Sequence, residues 1–148
     1  MRPMTEEFVV GFAFTPDDRV LLIEKTHPRW QAGLLNGIGG RIEVEETPEQ
    51  AMNRESIEEA DLHLEWTERA RITGPYFDVY VFYAISSKVR RFRQMTGEPL
   101  GIYRREDLDN YPHVSNVPYL VAFGRAVHNK SFDGMANPYI TLDYGRMK

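Results

Sequence analysis

Glu55, Glu58 and Glu59 stand three and four residues apart, and on a helix that spacing gathers them on an arc of roughly 100°. Gly39 and Gly40 precede them, a lone Glu46 lies between, and Arg54 adjoins them. Glu55 and Glu59 form an i,i+4 like-charge pair, which opposes an isolated helix by about 0.3 kcal/mol. Arg54 offsets this only in part, by pairing with Glu58 one turn on. Ala51, Met52 and Leu62 share the arc, so the carboxylates stand where apolar residues meet a pocket rim. Hard divalent cations take oxygen ligands, and Mg²⁺ binds through one or two carboxylates together with substrate phosphates. A glycine turn lets a backbone carbonyl of Gly39 or Gly40 approach such an ion closely. The chemistry open to this set is therefore metal-assisted cleavage of a phosphorylated substrate. Taken alone, the glutamates fit a solvated surface helix better, the commonest fate of a glutamate-rich helix; the whole block shifts the balance.

The elements that must hold these groups follow from pattern. Thr47 to Ala60 is predicted helical: Thr47 caps it, Pro48 suits the first position and Gln50 completes a capping box. Phe8–Phe14 and Arg19–Ile23 are strand-like, and Thr15-Pro16-Asp17-Asp18 between them makes a hairpin. Lys25 to Gly40 reads as loop. Glu65–Ile72 and Tyr76–Ile85 read as strands around Thr73-Gly74-Pro75, the second apolar enough to lie centrally with both faces covered. A further strand is expected over Glu98–Tyr103, and a short helix from Arg105. A C-terminal helix is expected over Ser115–His128, capped by Ser115, with Tyr119, Leu120, Phe123 and Val127 inward. A last strand is expected at Tyr139–Tyr144. Strands, a helix, more strands and a late helix give an α/β class fold, a mixed (α+β) sheet flanked by helices, as a single domain over residues 1–148.

Composition narrows the function. The 148 residues carry a net charge of −4, which gives no reason to expect nucleic acid or an anionic membrane as partner. No cysteine is present, so thiolate metal sites, disulfides and cysteine nucleophiles are excluded. No apolar run approaches the ~20 residues of a membrane span. Met1-Arg2-Pro3-Met4 leads into acidic residues and not into an apolar leader, so a cytoplasmic protein is expected. The basic run Lys88–Arg93 is read as a solvated loop. A homodimer is compatible with base rates alone.

Gly40, Glu46 after five residues, Arg54-Glu55 after seven more, then Glu58-Glu59 and Leu62, resemble the Nudix box. Two positions depart from it. Ser56 replaces an aliphatic residue, and Asp61 replaces a glycine suited to a left-handed helix terminus, at about 1 kcal/mol. The resemblance implies an α/β/α sandwich and a hydrolase that cleaves a pyrophosphate linkage of a nucleotide, with Mg²⁺ or Mn²⁺ as cofactor. It implies Glu55 and Glu59 as the main metal ligands, with Glu58 and the Gly39 carbonyl assisting, and Arg54 orienting Glu46 and Glu55. Glu98 resembles a later acidic residue that binds metal or acts as base; a plain glutamate beside a turn is its rival.

Arg19-Val20-Leu21-Leu22, Lys25, Asn36–Arg41 and the tail Ile140–Tyr144 are similar to the MutT branch, especially its oxidised-purine nucleoside triphosphatases. That likeness implies Asn36 as a base-reading residue and Lys25 and Arg41 as phosphate contacts. Trp30 and Tyr111 are candidates to stack on a base, since aromatic faces accept any nucleobase. The stretch Tyr111–Asn116 lacks the aspartate pair that reads an oxidised purine in those enzymes, so other nucleotides stay open. The leading expectation is a nucleoside triphosphate pyrophosphohydrolase yielding a monophosphate and pyrophosphate. The alternatives are hydrolysis of ADP-ribose, NAD or a dinucleoside polyphosphate, and a nucleotide sensor without turnover.

Overall fold

The computed structural model describes residues 5–129 and 137–145; Met1–Met4, whose sequence was read above, lie outside them. The described elements run β1 (Glu6–Phe14), β2 (Arg19–Glu24), β3 (Leu35–Asn36), β4 (Ile38–Arg41), α1 (Pro48–Ala60), β5 (Thr67–Thr73), β6 (Phe77–Ile85), β7 (Leu100–Arg104), α2 (Val117–His128) and β8 (Ile140–Asp143). Short 3-10 turns cover Arg29–Gln31, Ser87–Arg91 and Arg105–Asn110. The strands form one mixed sheet in the order β3-β2-β1-β6-β5-β8, with β4 also on β1 and β7 also on β2.

The period-two alternation of β1 explains why this sheet needs two covers. Val10, Phe12 and Phe14 face one side with Val20, Leu22, Val81 and Tyr83, and there α2 lays Val117, Leu120, Val121 and Phe123 on them. Val9 and Ala13 face the other side with Leu21, Ile23 and Phe82, against Ala51, Met52 and Ala60 of α1. The result is the α/β/α sandwich expected. β6 runs parallel to β1 from Glu6↔Phe77 to Phe14↔Ile85 and antiparallel to β5, so it is central as its apolar run implied.

Three local expectations are corrected. Residues 25–40 are not all loop, because β3 and β4 lie within them. Gly39 and Gly40 pair with Val10 and Val9 of β1, a long-range pairing that overrides the poor strand propensity of glycine. The C-terminal helix starts at Val117 with Asn116 at its cap and no side-chain cap bond, so Ser115 does not cap it. Pro118 in its first turn and the Leu120 N–H to Asn116 carbonyl bond of 3.1 Å set that start instead. Tyr119, placed on the apolar side by periodicity, is 71% exposed, and Val121 takes its inward place.

α1 begins as its sequence dictates. Thr47 accepts from the Gln50 N–H, and the Gln50 side chain accepts from the Thr47 N–H. At the other end Asp61 sits in the left-handed region at φ 54°, ψ 40°. The Leu62 N–H bonds the Ser56 carbonyl at 3.3 Å, and the buried Ser56 hydroxyl donates back to the Leu62 carbonyl at 2.7 Å. The helix end is thus closed by a reciprocal pair of bonds that involves one of the two unexpected residues directly and encloses the other.

Candidate metal and nucleotide site

α1 presents Glu59 inward against β4 and leaves Glu55 beside it, while Glu58 points outward. Glu59 is 8% exposed, and its Oε2 accepts from the Gly39 N–H at 3.3 Å. Burial pushes the Glu59 carboxyl up to about 9, reinforced by a hydrogen bond and repulsion from Glu55; Lys25 and the Gly39 N–H oppose the rise only in part. Glu59 therefore holds its proton at neutral pH in the metal-free protein, beside the Glu55 carboxyl. Gly40 makes the pairing sterically possible: a Cβ there would lie 2.5 Å from Glu55 Oε1.

Arg54 stands on the outer side of this pair. It forks onto Glu46, Nε to Oε2 at 2.7 Å and Nη2 to Oε1 at 3.0 Å. The same guanidinium reaches Glu55 at 2.9 Å, Glu58 at 3.1 Å and the Arg41 carbonyl at 3.0 Å. The bond from Arg54, assisted by the Glu43 N–H, holds the Glu46 carboxyl below the usual range against its burial. Glu46 and its neighbours in turn push Arg54 still higher.

The donor chemistry fits a divalent cation: a buried carboxylate against a second one, with a proton standing where a cation would neutralise them better. Among the described residues no group of three or more His, Asp or Glu side chains is gathered as a complete metal cage. Gly39 directs its N–H, not a carbonyl, at Glu59.

The remaining candidates lie around this pair or away from it. Glu98 is 6% exposed on the lead-in to β7, with Oε2 accepting from the Thr26 N–H at 2.6 Å and Oε1 from Lys25 Nζ at 3.4 Å. Burial pushes its carboxyl up, but the Thr26 N–H, Lys25 and His27 outweigh that and hold it below the usual range. Lys25 thus lies between Glu98 and the carboxylate pair. Arg41 is turned to the surface, paired with Glu6 at 2.8 Å.

The Asn36 side chain donates to Gln31 at 3.2 Å and accepts from the Gly37 N–H at 2.8 Å. Trp30 is 68% exposed. Tyr111 is half exposed, its ring edge-on to Tyr103 at 5.1 Å. Residues 112–114 run beside β3 in a parallel bridge centred on Leu35 and His113: Leu35 N–H bonds the Pro112 carbonyl and Val114 N–H the Leu35 carbonyl, which sets Val114 level with Asn36. Sequence reasoning missed Thr26, Gln31 and Tyr103. Gln31 is five residues from its partner, but Thr26 and Glu98 are 72 apart and no local pattern joins them.

The family described as NUDIX domain matches residues 5–112. A NUDIX-family hydrolase from Clostridium perfringens superposes with a TM-score of 0.69 at 24% identity, over 83% of this chain and 97% of that one. MutT, from a study of Aliivibrio salmonicida and Vibrio cholerae, gives 0.68 at 22% identity over 82% and 98%. The E. coli dihydroneopterin triphosphate pyrophosphohydrolase gives 0.63 at 14% identity over 81% and 96%. At these identities the superpositions speak for the fold alone. No curated protein matches the sequence.

Proposed function

This chain belongs to the NUDIX domain family of hydrolases, and on that premise we propose that it is a divalent-metal-dependent pyrophosphohydrolase of a nucleoside triphosphate. The observation that carries the reading is the buried Glu59 carboxyl pressed against Glu55, a pair that Gly40 accommodates and that a cation would relieve of its proton. Glu55 and Glu59 would hold Mg²⁺ or Mn²⁺, with Glu58 and the Gly39 carbonyl as assisting groups. When bound, the ion would neutralise phosphate charge and lower the pKa of an attacking water.

Arg54 keeps Glu46 and Glu55 in place and touches no substrate in this reading. Lys25 supplies the inner cation for a phosphate oxygen; Arg41 reaches one only by leaving Glu6. Trp30 and Tyr111 offer stacking faces to the base, and Asn36, tethered by Gln31, offers its edge. The products are a nucleoside monophosphate and pyrophosphate.

Hydrolysis of a panel with and without Mg²⁺ tests this: ordinary and 8-oxo triphosphates, ADP-ribose, NAD and a dinucleoside tetraphosphate. Metal-dependent release of pyrophosphate from a triphosphate is the expected result. Activity confined to ADP-ribose or NAD would retain the carboxylate pair and overturn the substrate. Saturable binding with no turnover on any member would replace the enzyme by a sensor.

A further inference from the structure

The loop between β2 and β3 has nothing apolar to hold it. Thr26 to Gly33 contribute no buried side chain, and the 3-10 turn at Arg29–Gln31 within them buries none either. Its neck is closed by Lys25 N–H to Leu34 carbonyl at 2.9 Å and Gly33 N–H to Lys25 carbonyl at 2.7 Å. Beyond the neck, one tie is at Gln31, whose carbonyl accepts from the Leu34 N–H at 2.9 Å and whose side chain accepts from Asn36. The other is Glu98, which is 94% buried by the same measure that leaves Trp30 at 68% exposed. Its Oε2 takes both the N–H of Thr26 at 2.6 Å and its hydroxyl at 3.2 Å, and its Oε1 takes Lys25 at 3.4 Å, so both carboxylate oxygens are engaged. His27 Nδ1 stands 3.7 Å away. Glu98 is itself held from behind, its N–H donating to Thr96 and the next carbonyl, of Pro99, accepting from Glu24.

We propose that Glu98 is a positioning residue: it clamps the loop from Lys25 to Leu34 and so fixes Trp30 and Lys25 toward the nucleotide. The effect on turnover rests on the nucleotide-hydrolase reading; the clamp itself does not. Bonds to a charged acceptor are the strong ones, and losing them raises the population of an open loop by about tenfold or more. A glutamine at this position keeps a carbonyl for the Thr26 N–H and hydroxyl and loses only the pairing with Lys25. An aspartate keeps the charge but falls one methylene short of Thr26. A clamp therefore tolerates Gln better than Asp, whereas a base or a ligand requires the carboxylate and ranks them the other way.

Glu98→Ala, Glu98→Gln and Glu98→Asp would be compared in the full chain by limited trypsin cleavage after Arg29, by Mn²⁺ binding in electron paramagnetic resonance, and by steady-state kinetics on the best panel nucleotide. Trp30 and Trp66 are the only tryptophans and Trp66 is buried, so quenching of fluorescence by Mg²⁺-nucleotide reports Trp30. The clamp predicts cleavage about tenfold or more faster in the Ala and Asp variants, KM up by a similar factor with kcat changed far less, Mn²⁺ affinity within a few-fold, and substantial recovery in the Gln variant. Turnover lost as fully in Gln as in Ala with cleavage unchanged, or Mn²⁺ affinity falling tenfold in both, would overturn it. If the Ala variant does not fold, the order of Gln against Asp still decides. If the wild type hydrolyses nothing, the enzyme reading fails while cleavage and Mn²⁺ binding still judge the clamp.

Discussion

Glu59→Gln should make the metal-free protein more stable at neutral pH, and by an amount that vanishes in acid. In the folded chain the Glu59 carboxyl lies at about 9 against an ordinary value of 4.5. Below about pH 4.5 both folded and unfolded chains hold the proton and nothing is lost. As pH rises the unfolded chain releases it first, so the folded state binds more protons and stability falls with pH through that window. At about pH 7.5 the ceiling is ~3 units at 1.36 kcal/mol each, about 4 kcal/mol. Water entry and local relaxation reduce this to about 2 kcal/mol, because buried sites behave as media of intermediate dielectric.

Glutamine is isosteric, cannot ionise, and donates to Glu55 as the protonated acid does. For a chain of this size ~2 kcal/mol raises Tm by about 4–8 °C. Thermal unfolding of both proteins in EDTA at about pH 4 and about pH 7.5 reads it, and excess Mg²⁺ should then raise the wild type alone. The variant should lose metal-dependent turnover. An equal difference at both pH values, or a variant less stable at the higher one, would refute the reasoning.

Gly40→Ala puts a methyl 2.5 Å from Glu55 Oε1, so turnover should fall at least about tenfold while circular dichroism stays native. Ser56→Ala leaves the buried Leu62 carbonyl without its donor and should lower stability by about 1–3 kcal/mol in urea unfolding. Arg54→Lys cannot fork onto Glu46, so stability should drop by about 1–2 kcal/mol. It should also flatten the acid limb of the stability profile, since a carboxyl held below its ordinary value stabilises above that value and loses the benefit as pH falls.

What could be read in advance was whatever is local. The cap at Thr47, the helix it starts, the arc of Glu55 and Glu59 and the hairpin at Thr15–Asp18 are all written within a few residues of themselves. What escaped depends on distant backbone. β4 is a strand because β1 pairs with it, and Gly39 suits that strand because any Cβ would strike the Val9 carbonyl. Glu98 reads from sequence either as a metal or base candidate or as a glutamate beside a turn, and its hold on Thr26 is hidden because that partner lies 72 residues earlier. Tyr119 was misplaced because α2 turns Val121 to the sheet, a choice made by packing that helical periodicity alone does not reveal.

The closure at the end of α1 has a consequence for anyone editing the helix toward its family pattern. An aliphatic side chain at Ser56 would enter a fully buried position and orphan the Leu62 carbonyl, while a glycine at Asp61 alone would ease the backbone and leave Ser56 bonded as before. The two substitutions are therefore unequal in cost, and neither rescues the other. The change at position 61 is acceptable in either background, and the change at position 56 only where the carbonyl of residue 62 has been given another partner. A library that swaps both sites independently should recover the first alone and never the second alone.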